Sequence, residues 1–208
     1  MDGLAVIFQI IVLVLSAVVH EVSHGLMAEK LGDPTARNAG RLTLNPLKHL
    51  DLYGSFLLPA LLIFSGSPVV LGWAKPVPFD PRNLKNPAKG AALIALAGPV
   101  SNIALAILMA VFYRIAFAFS AGNAALPLFL LVEIAIYINV ALAIFNLIPI
   151  PPLDGSKLLY PVFPHIRPEV MGFLERYGIL LVLAFLLFGG DLILGPLIHG
   201  AFLFLVGA

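Results

Sequence analysis

The sequence predicts an all-α polytopic membrane protein with about four to six transmembrane helices. Of the 208 residues, 61% are hydrophobic, only 11% are charged, and the mean hydropathy is +1.03. Soluble globular domains are less apolar and carry about 25% charged residues. In addition, several apolar runs approach or exceed the roughly 20 residues that an α-helix needs to cross a bilayer.

Three of these runs are long enough for one crossing each: residues 4–27, 91–119 and 126–148. A small polar turn at 120–123 separates the second run from the third. The tail at 177–206 is interrupted at 189–191 and at 195–196, so we expect one crossing plus a half-helix, or two short crossings. The chain is predicted to be one membrane-embedded domain over 1–208, with a catalytic core at 4–157 and C-terminal helices at 168–207.

Residues 53–73 are also apolar, but glycine and proline interrupt them too often for a continuous spanning helix. We therefore predict a re-entrant or β-like segment between the first two core helices. With that choice the loops at 30–53, 75–90 and 151–176 lie on one side of the membrane. These loops contain Lys30, Arg37, Arg41, Lys48, Lys75, Arg82, Lys85, Lys89, Lys157, Arg167 and Arg176, leaving only Arg114 elsewhere. The positive-inside rule then places the loops in the cytosol and the N-terminus outside.

Composition also excludes several classes of function. The chain has no cysteine, so disulfides, thiolate metal ligands and a cysteine nucleophile are excluded. A net charge of +1, with no cluster of cations beyond what topology explains, gives no basis for nucleic-acid binding. Any bound metal must be held by nitrogen and oxygen ligands.

The first apolar run ends in the stretch HEVSH, residues 20–24. A helix in lipid brings His20 and His24, four residues apart, onto one face, where both can bind one metal ion. Glu21 is rotated by about 100° from His20, a position suited to a general base acting on a bound water. This HExxH pattern predicts two zinc ligands and a base. The alternative is that the histidines only form hydrogen bonds with neighbouring helices.

A catalytic zinc site needs a third protein ligand. His20 and His24 lie near the predicted cytosolic end of their helix, so the third ligand should lie near the cytosolic end of another. Asp154 fulfils this condition, because it follows the third crossing in NLIPIPPLDG, where prolines end the helix. An ordinary Asp-Gly turn is the alternative. Glu133 and Asp191 are less well placed for the metal.

Three motifs in order, HEVSHG at 20–25, AGPVSN at 97–102 and NLIPIPPLDG at 146–155, resemble those of the site-2 protease family of intramembrane zinc metalloproteases. The resemblance extends from the first helix to about Lys157. It implies Zn²⁺ held by His20, His24 and Asp154, with Glu21 activating the water. The chain resembles a short form of the family without PDZ or CBS domains.

The same resemblance assigns further roles. Asn146 matches the asparagine expected to hold the substrate carbonyl or its oxyanion, and Asn102 is expected near the substrate path. Each has an alternative role as an interhelical hydrogen-bonding residue. The segments GRLTLNP and PVVLGWAKPVPF resemble the strand and re-entrant region that receives an unwound substrate, because a peptide bond must be extended to be cleaved. A plain interfacial loop is the alternative.

The predicted function is hydrolysis of a peptide bond in or beside the transmembrane helix of a single-span membrane protein. The resemblance further implies an integral protein of a prokaryotic plasma membrane, with the lipid bilayer as its surroundings and the active site toward the cytosol. A divalent-metal transporter or channel is the competing class. It explains intramembrane histidine and aspartate, but not why a glutamate directly follows the first histidine. The sequence gives no oligomeric state.

Overall fold

The computed structural model describes residues 3–51, 57, 75–119 and 127–207 and confirms the predicted all-α class. Within these ranges four helices are long and apolar enough to cross a membrane, and no β-strand is present. The predicted turn at 120–123 and nearly all of the predicted re-entrant segment at 53–73 lie outside the described residues.

Five helices form the framework: α1 (Gly3–Lys30), α2 (Pro87–Phe119), α3 (Pro127–Asn146), α4 (Pro168–Phe185) and α5 (Asp191–Val206). Short helical turns occupy the connections at Thr35–Asn38, Pro46–Lys48, Pro81–Asn83, Asp154–Leu158 and Leu159–Val162, and a π-helical turn, Leu186–Gly190, joins α4 to α5. The core crossings agree with the predicted runs, although α2 begins at Pro87 rather than at residue 91.

The C-terminal region forms a crossing and a shorter helix. The crossing begins at Pro168, ahead of the apolar tail at 177–206, because the charged residues at its start are helical as well. The candidate span Pro168–Gly190 is followed by a shorter apolar helix, as in the alternative of one crossing plus a half-helix. Pro196 lies inside α5 without ending it. The guanidinium group of Arg114 caps this last helix by donating to the carbonyl oxygens of Leu205 at 2.7 Å and Phe204 at 2.6 Å.

Small side chains let the core helices approach one another closely. Gly98, Asn102, Ala106 and Ala110 recur every four residues along α2, and all are buried. A stripe of small residues is the usual contact surface between helices in lipid, where close packing rather than water exclusion drives association. The stripe faces α1 at its Gly98 end and packs with Ile136 and Val140 of α3 at its Ala110 end. It therefore positions α2 against the HExxH helix.

One buried carboxylate, Asp33, holds the loops beyond α1 together. Its Oδ1 accepts from the Thr35 hydroxyl at 2.5 Å and from Asn83 Nδ2 at 2.7 Å, and its Oδ2 accepts from Asp80 N–H at 2.6 Å. Burial disfavours the charged form, but these hydrogen bonds outweigh it and lower the pKa of Asp33 below its ordinary value. Asp33 thus ties the end of α1 to the segment that leads into α2.

We predict that Asp33→Ala lowers the free energy of unfolding in detergent at pH 7 by about 3 kcal/mol, since hydrogen bonds to a buried charge are lost. Glu175→Ala, at an exposed position of α4, should change it by less than about 0.5 kcal/mol. Because the pKa of Asp33 is lower in the folded protein, its charged form stabilises the fold at pH values above the unfolded-state pKa, which is about 4. The stability lost in Asp33→Ala should therefore shrink as the pH falls below about 4. Equal thermal unfolding temperatures of Asp33→Ala and Glu175→Ala at pH 7 would contradict the role of Asp33 in holding the loops together.

Candidate active site

The two histidines of the HExxH stretch share one face of α1. His20 and His24 are buried, with relative exposures of 6% and 9%, and their ring centroids lie 4.6 Å apart in an edge-on arrangement. This is the one-turn spacing that the sequence predicts for residues four apart in a helix. Glu21, on the adjacent face, is half-buried.

Asp154 reaches the same point from the other side. It begins a short helical turn after the loop that follows α3. Its Oδ2 lies 2.9 Å from His20 Nε2 and 3.2 Å from His24 Nε2. One ligand atom from each of these three residues lies within 4.8 Å of the others, and no other group of this kind occurs in the described ranges.

Two glycines allow the Asp154 loop to fold back onto α3. A Cβ at Gly155 would lie 2.2 Å from the Leu147 carbonyl oxygen, and a Cβ at Gly178 would lie 2.0 Å from the Pro151 carbonyl oxygen. Both positions therefore exclude any larger residue. Because Gly178 belongs to α4, the C-terminal crossing packs directly against the loop that carries Asp154.

Hydrogen bonds behind the two rings fix which nitrogen faces the carboxylate. His24 Nδ1 donates to the carbonyl oxygen of Ile94 at 2.7 Å, and His20 Nδ1 lies 2.6 Å from Asn102 Oδ1. With a proton on each Nδ1, the neutral rings direct unprotonated Nε2 atoms at the Asp154 oxygen. A cation among these three atoms would be attracted by the two lone pairs and by the charge of the carboxylate. Two imidazoles and one carboxylate form a ligand set known in catalytic zinc sites, so the residues fit zinc.

Gly98 of α2 closes the site on the remaining side. A Cβ there would lie 2.5 Å from His20 Nε2 and 2.6 Å from His24 Cε1. The stretch AGPVSN therefore brings the α2 backbone against both rings at the atoms that face Asp154. Glycine here serves close packing of the helix on the candidate ligands.

The side chain of Glu21 contacts the segment at 75–79, which belongs to no helix or strand. Its Oε2 accepts a hydrogen bond from Val77 N–H at 2.9 Å, and Val77 is buried. Two partners hold this segment in place. Arg41 Nη2 donates to the Lys75 carbonyl oxygen at 2.6 Å, and Lys75 N–H donates to the His49 carbonyl oxygen at 2.8 Å. The described residues of the two segments predicted to resemble a strand and re-entrant region, at 40–46 and 75–79, form no β-strand.

The two predicted asparagines lie in different surroundings. Asn102 is fully buried behind His20, and its amide also contacts the Ser16 carbonyl oxygen and Asn139. Asn146 is the last residue of α3 and is half-buried; its Nδ2 donates to the Leu142 carbonyl oxygen of its own helix at 3.0 Å. Contact of either residue with substrate stays a prediction. Glu133, an alternative considered for the metal, instead accepts a hydrogen bond from the Tyr113 hydroxyl at 2.7 Å.

Sequence reasoning did not identify several groups that shape this site. The Ile94 carbonyl and the Val77 N–H belong to the backbone and leave no signal in residue type. Asn139 of α3, which contacts Asn102, was not singled out. Its signal is a buried polar residue in an apolar helix, placed seven residues before Asn146 and so on the same face.

Comparison with known proteins gives consistent matches. A family model described as peptidase family M50 matches residues 114–189. YwhC of Bacillus subtilis is 35% identical over 198 residues, covering 92% of this chain and 86% of YwhC. Rip2 of Mycolicibacterium smegmatis is 32% identical over 181 residues, covering 83% of this chain and 64% of Rip2. Both relatives are named as candidate zinc metalloproteases. No solved structure matches the chain significantly.

We predict that Gly98→Ala lowers the amount of zinc retained per purified chain severalfold, because the added methyl displaces both imidazoles. Gly172→Ala is the matched control, since a Cβ at this helical position meets nothing within 4 Å. The control should keep wild-type zinc content and gain up to about 1 kcal/mol of stability. Zinc content is measured by elemental analysis. Wild-type zinc content in Gly98→Ala would contradict the prediction, because zinc binding would then tolerate displacement of both imidazoles.

Proposed function

The chain belongs to the site-2 protease family, peptidase family M50, and is a zinc metalloprotease. We propose that it cleaves a peptide bond in or beside a transmembrane helix. The observation that carries the proposal is the convergence of His20, His24 and Asp154 among helices long and apolar enough to span a membrane. A hydrolytic site buried among such helices is accessible to substrates that share the bilayer.

In this proposal His20, His24 and Asp154 hold the zinc. The short distances among their ligand atoms and the protonated Nδ1 of each ring support the assignment. When bound, zinc supplies Lewis-acid chemistry, which lowers the pKa of water and polarises a peptide carbonyl. Three protein ligands leave a coordination position open, as catalytic rather than structural zinc sites require.

Glu21 is the proposed general base. It follows His20 directly, so its carboxylate projects beside the ligand face without sharing it. The hydrogen bond from Val77 N–H to Oε2 orients the carboxylate, and the other oxygen can then take a proton from water and return it to the leaving amine. Among the described residues this hydrogen bond engages one carboxylate oxygen, and the other oxygen keeps its lone pairs for this transfer.

The segment at 75–79 is the proposed partner of the substrate backbone. A peptide bond within a helix is covered by its neighbours, so the substrate must be extended near the metal, and carbonyl oxygens at 75–79 can accept hydrogen bonds from its backbone N–H groups. Val77 N–H lies beside Glu21, which places this segment next to the proposed base. Asn146 is proposed to donate its second amide N–H to the oxyanion, since one N–H is already used within α3.

The proposed substrate is a single-span membrane protein, cleaved from the cytosolic side of a prokaryotic plasma membrane. The bacterial origin of YwhC and Rip2 supports the membrane. The orientation rests on the cations of the loops that flank the site, including Arg37, Arg41 and Lys75, because the positive-inside rule assigns such loops to the cytosol. Water would reach the proposed site from that side.

We predict that Glu21→Gln retains zinc but cleaves at least about 100-fold more slowly than wild type, since the loss of a general base costs that much. The assay uses a model single-span protein in liposomes, with cleavage products identified by mass spectrometry. Glu133→Gln, which alters another carboxyl group of the helix bundle, is the control and should cleave at a rate close to wild type.

Equal cleavage by wild type and Glu21→Gln would contradict the proposed base. The same liposomes, loaded with a zinc-sensitive dye, test the competing function. Zinc influx that depends on His20 and Asp154, without cleavage of any model substrate, would favour a transporter over the protease.

A further inference from the structure

We propose that Asn102 and Asn139 are positioning residues that hold His20 in the tautomer whose Nε2 lone pair points at the metal. The proposal rests on the proposed function, because it assumes that His20 is a zinc ligand. It assigns to Asn102 a role behind the metal site rather than in the substrate path, and it adds Asn139 to the residues on which the site depends.

Both asparagines are inaccessible to solvent and to lipid. Each has 0% relative exposure, and together they connect three helices: α1 through His20, α2 through Asn102, and α3 through Asn139. The two joining distances are 2.6 Å from Asn102 Oδ1 to His20 Nδ1 and 3.0 Å from Asn102 Nδ2 to Asn139 Oδ1. A buried amide without partners would cost several kcal/mol, so these contacts determine how each amide is oriented.

The direction of these hydrogen bonds follows from the contact of Asn139 with a backbone carbonyl of its own helix. The Ala135 carbonyl oxygen can only accept, so the atom of Asn139 that lies 2.9 Å from it is the amide nitrogen. Asn139 then presents its oxygen to Asn102, which must present its own nitrogen. That nitrogen also lies 3.4 Å from the Ser16 carbonyl oxygen, another group that can only accept. Two backbone carbonyls therefore fix the orientation of both amides.

The remaining atom, Asn102 Oδ1, faces His20 and can only accept. His20 Nδ1 must therefore carry a proton, and in the neutral ring that can bind a metal Nε2 keeps the lone pair. A metal-bound histidine usually donates its other N–H to such a partner, and loss of the partner weakens metal binding. In the opposite tautomer, His20 would direct an N–H at the metal position.

His24 reaches the same tautomer by a different means. Its Nδ1 donates to the backbone carbonyl of Ile94, which no side-chain substitution removes. The tautomer of His20, in contrast, depends on two side chains that can each be changed. This asymmetry makes the proposal testable, because substitution of the asparagines should affect one ligand and spare the other.

The experiment measures the dissociation constant for zinc by chelator competition on the full-length protein in detergent. Asn102→Leu should weaken zinc binding by roughly 10-fold to 100-fold, and Asn139→Leu should weaken it less, by about 3-fold or more. Tyr113→Phe is the matched control. It removes another side-chain hydrogen bond between α2 and α3, at 2.7 Å, away from His20, and should change the constant less than about 2-fold.

Two further measurements separate positioning from general loss of structure. The thermal unfolding temperature of the zinc-free protein should be lower than that of wild type in the leucine variants and in Tyr113→Phe alike. The visible spectrum of the cobalt-substituted protein, in contrast, should change only in the leucine variants. Asn102→Asp keeps an acceptor for His20 Nδ1–H and should bind zinc more tightly than Asn102→Leu. If Asn102→Leu does not fold, the comparison rests on Asn139→Leu, which should still bind zinc more weakly than wild type and than Tyr113→Phe.

His20→Ala distinguishes failure of this proposal from failure of the proposed function. If His20→Ala loses tight zinc binding while Asn102→Leu and Asn139→Leu bind as wild type does, the positioning role is overturned and the zinc site stands. If His20→Ala binds zinc as tightly as wild type, both the metal assignment and the positioning role are overturned.

Discussion

Two imidazoles and one carboxylate are brought together inside an apolar helix bundle, and the rest of the structure depends on keeping them there. Polar groups in such surroundings are costly unless each finds a partner. His20 and His24 meet Asp154 on one side and hydrogen-bond acceptors on the other. Helix α2 contributes two of these partners, Asn102 and the Ile94 carbonyl, and the loop after α3 contributes Asp154. The packing of α2 and of this loop on α1 is therefore what the three side chains require.

Small residues make those contacts possible. Gly98 lets α2 touch both imidazoles, Gly155 lets the loop after α3 turn back toward them, and Gly178 lets α4 support that loop. In each case a single added carbon would meet atoms at 2.6 Å or less. The glycines of this chain therefore act as points of close approach. They also explain how the C-terminal crossing, which carries none of the proposed ligands, takes part in holding the site.

The sequence predicted the helical class, the core crossings and the candidate ligands, because these depend on apolar run length, on the four-residue spacing of His20 and His24, and on the prolines before Asp154. It did not predict contacts made by backbone groups, such as Val77 N–H with Glu21 or the Ile94 carbonyl with His24. Nor did it separate the possible roles of Asn102. An asparagine in a motif is compatible with substrate contact or helix packing, and the sequence carries no information on which groups its amide contacts.

The central claim is that one zinc ion is held by two histidines and an aspartate within the membrane-spanning part of this M50 family protease. X-ray absorption at the zinc edge on the purified protein tests it most directly. The account predicts two imidazole ligands and oxygen ligands at about 2.0–2.2 Å, with one imidazole lost in His20→Ala. Zinc without imidazole ligands, or an unchanged spectrum in His20→Ala, would contradict it.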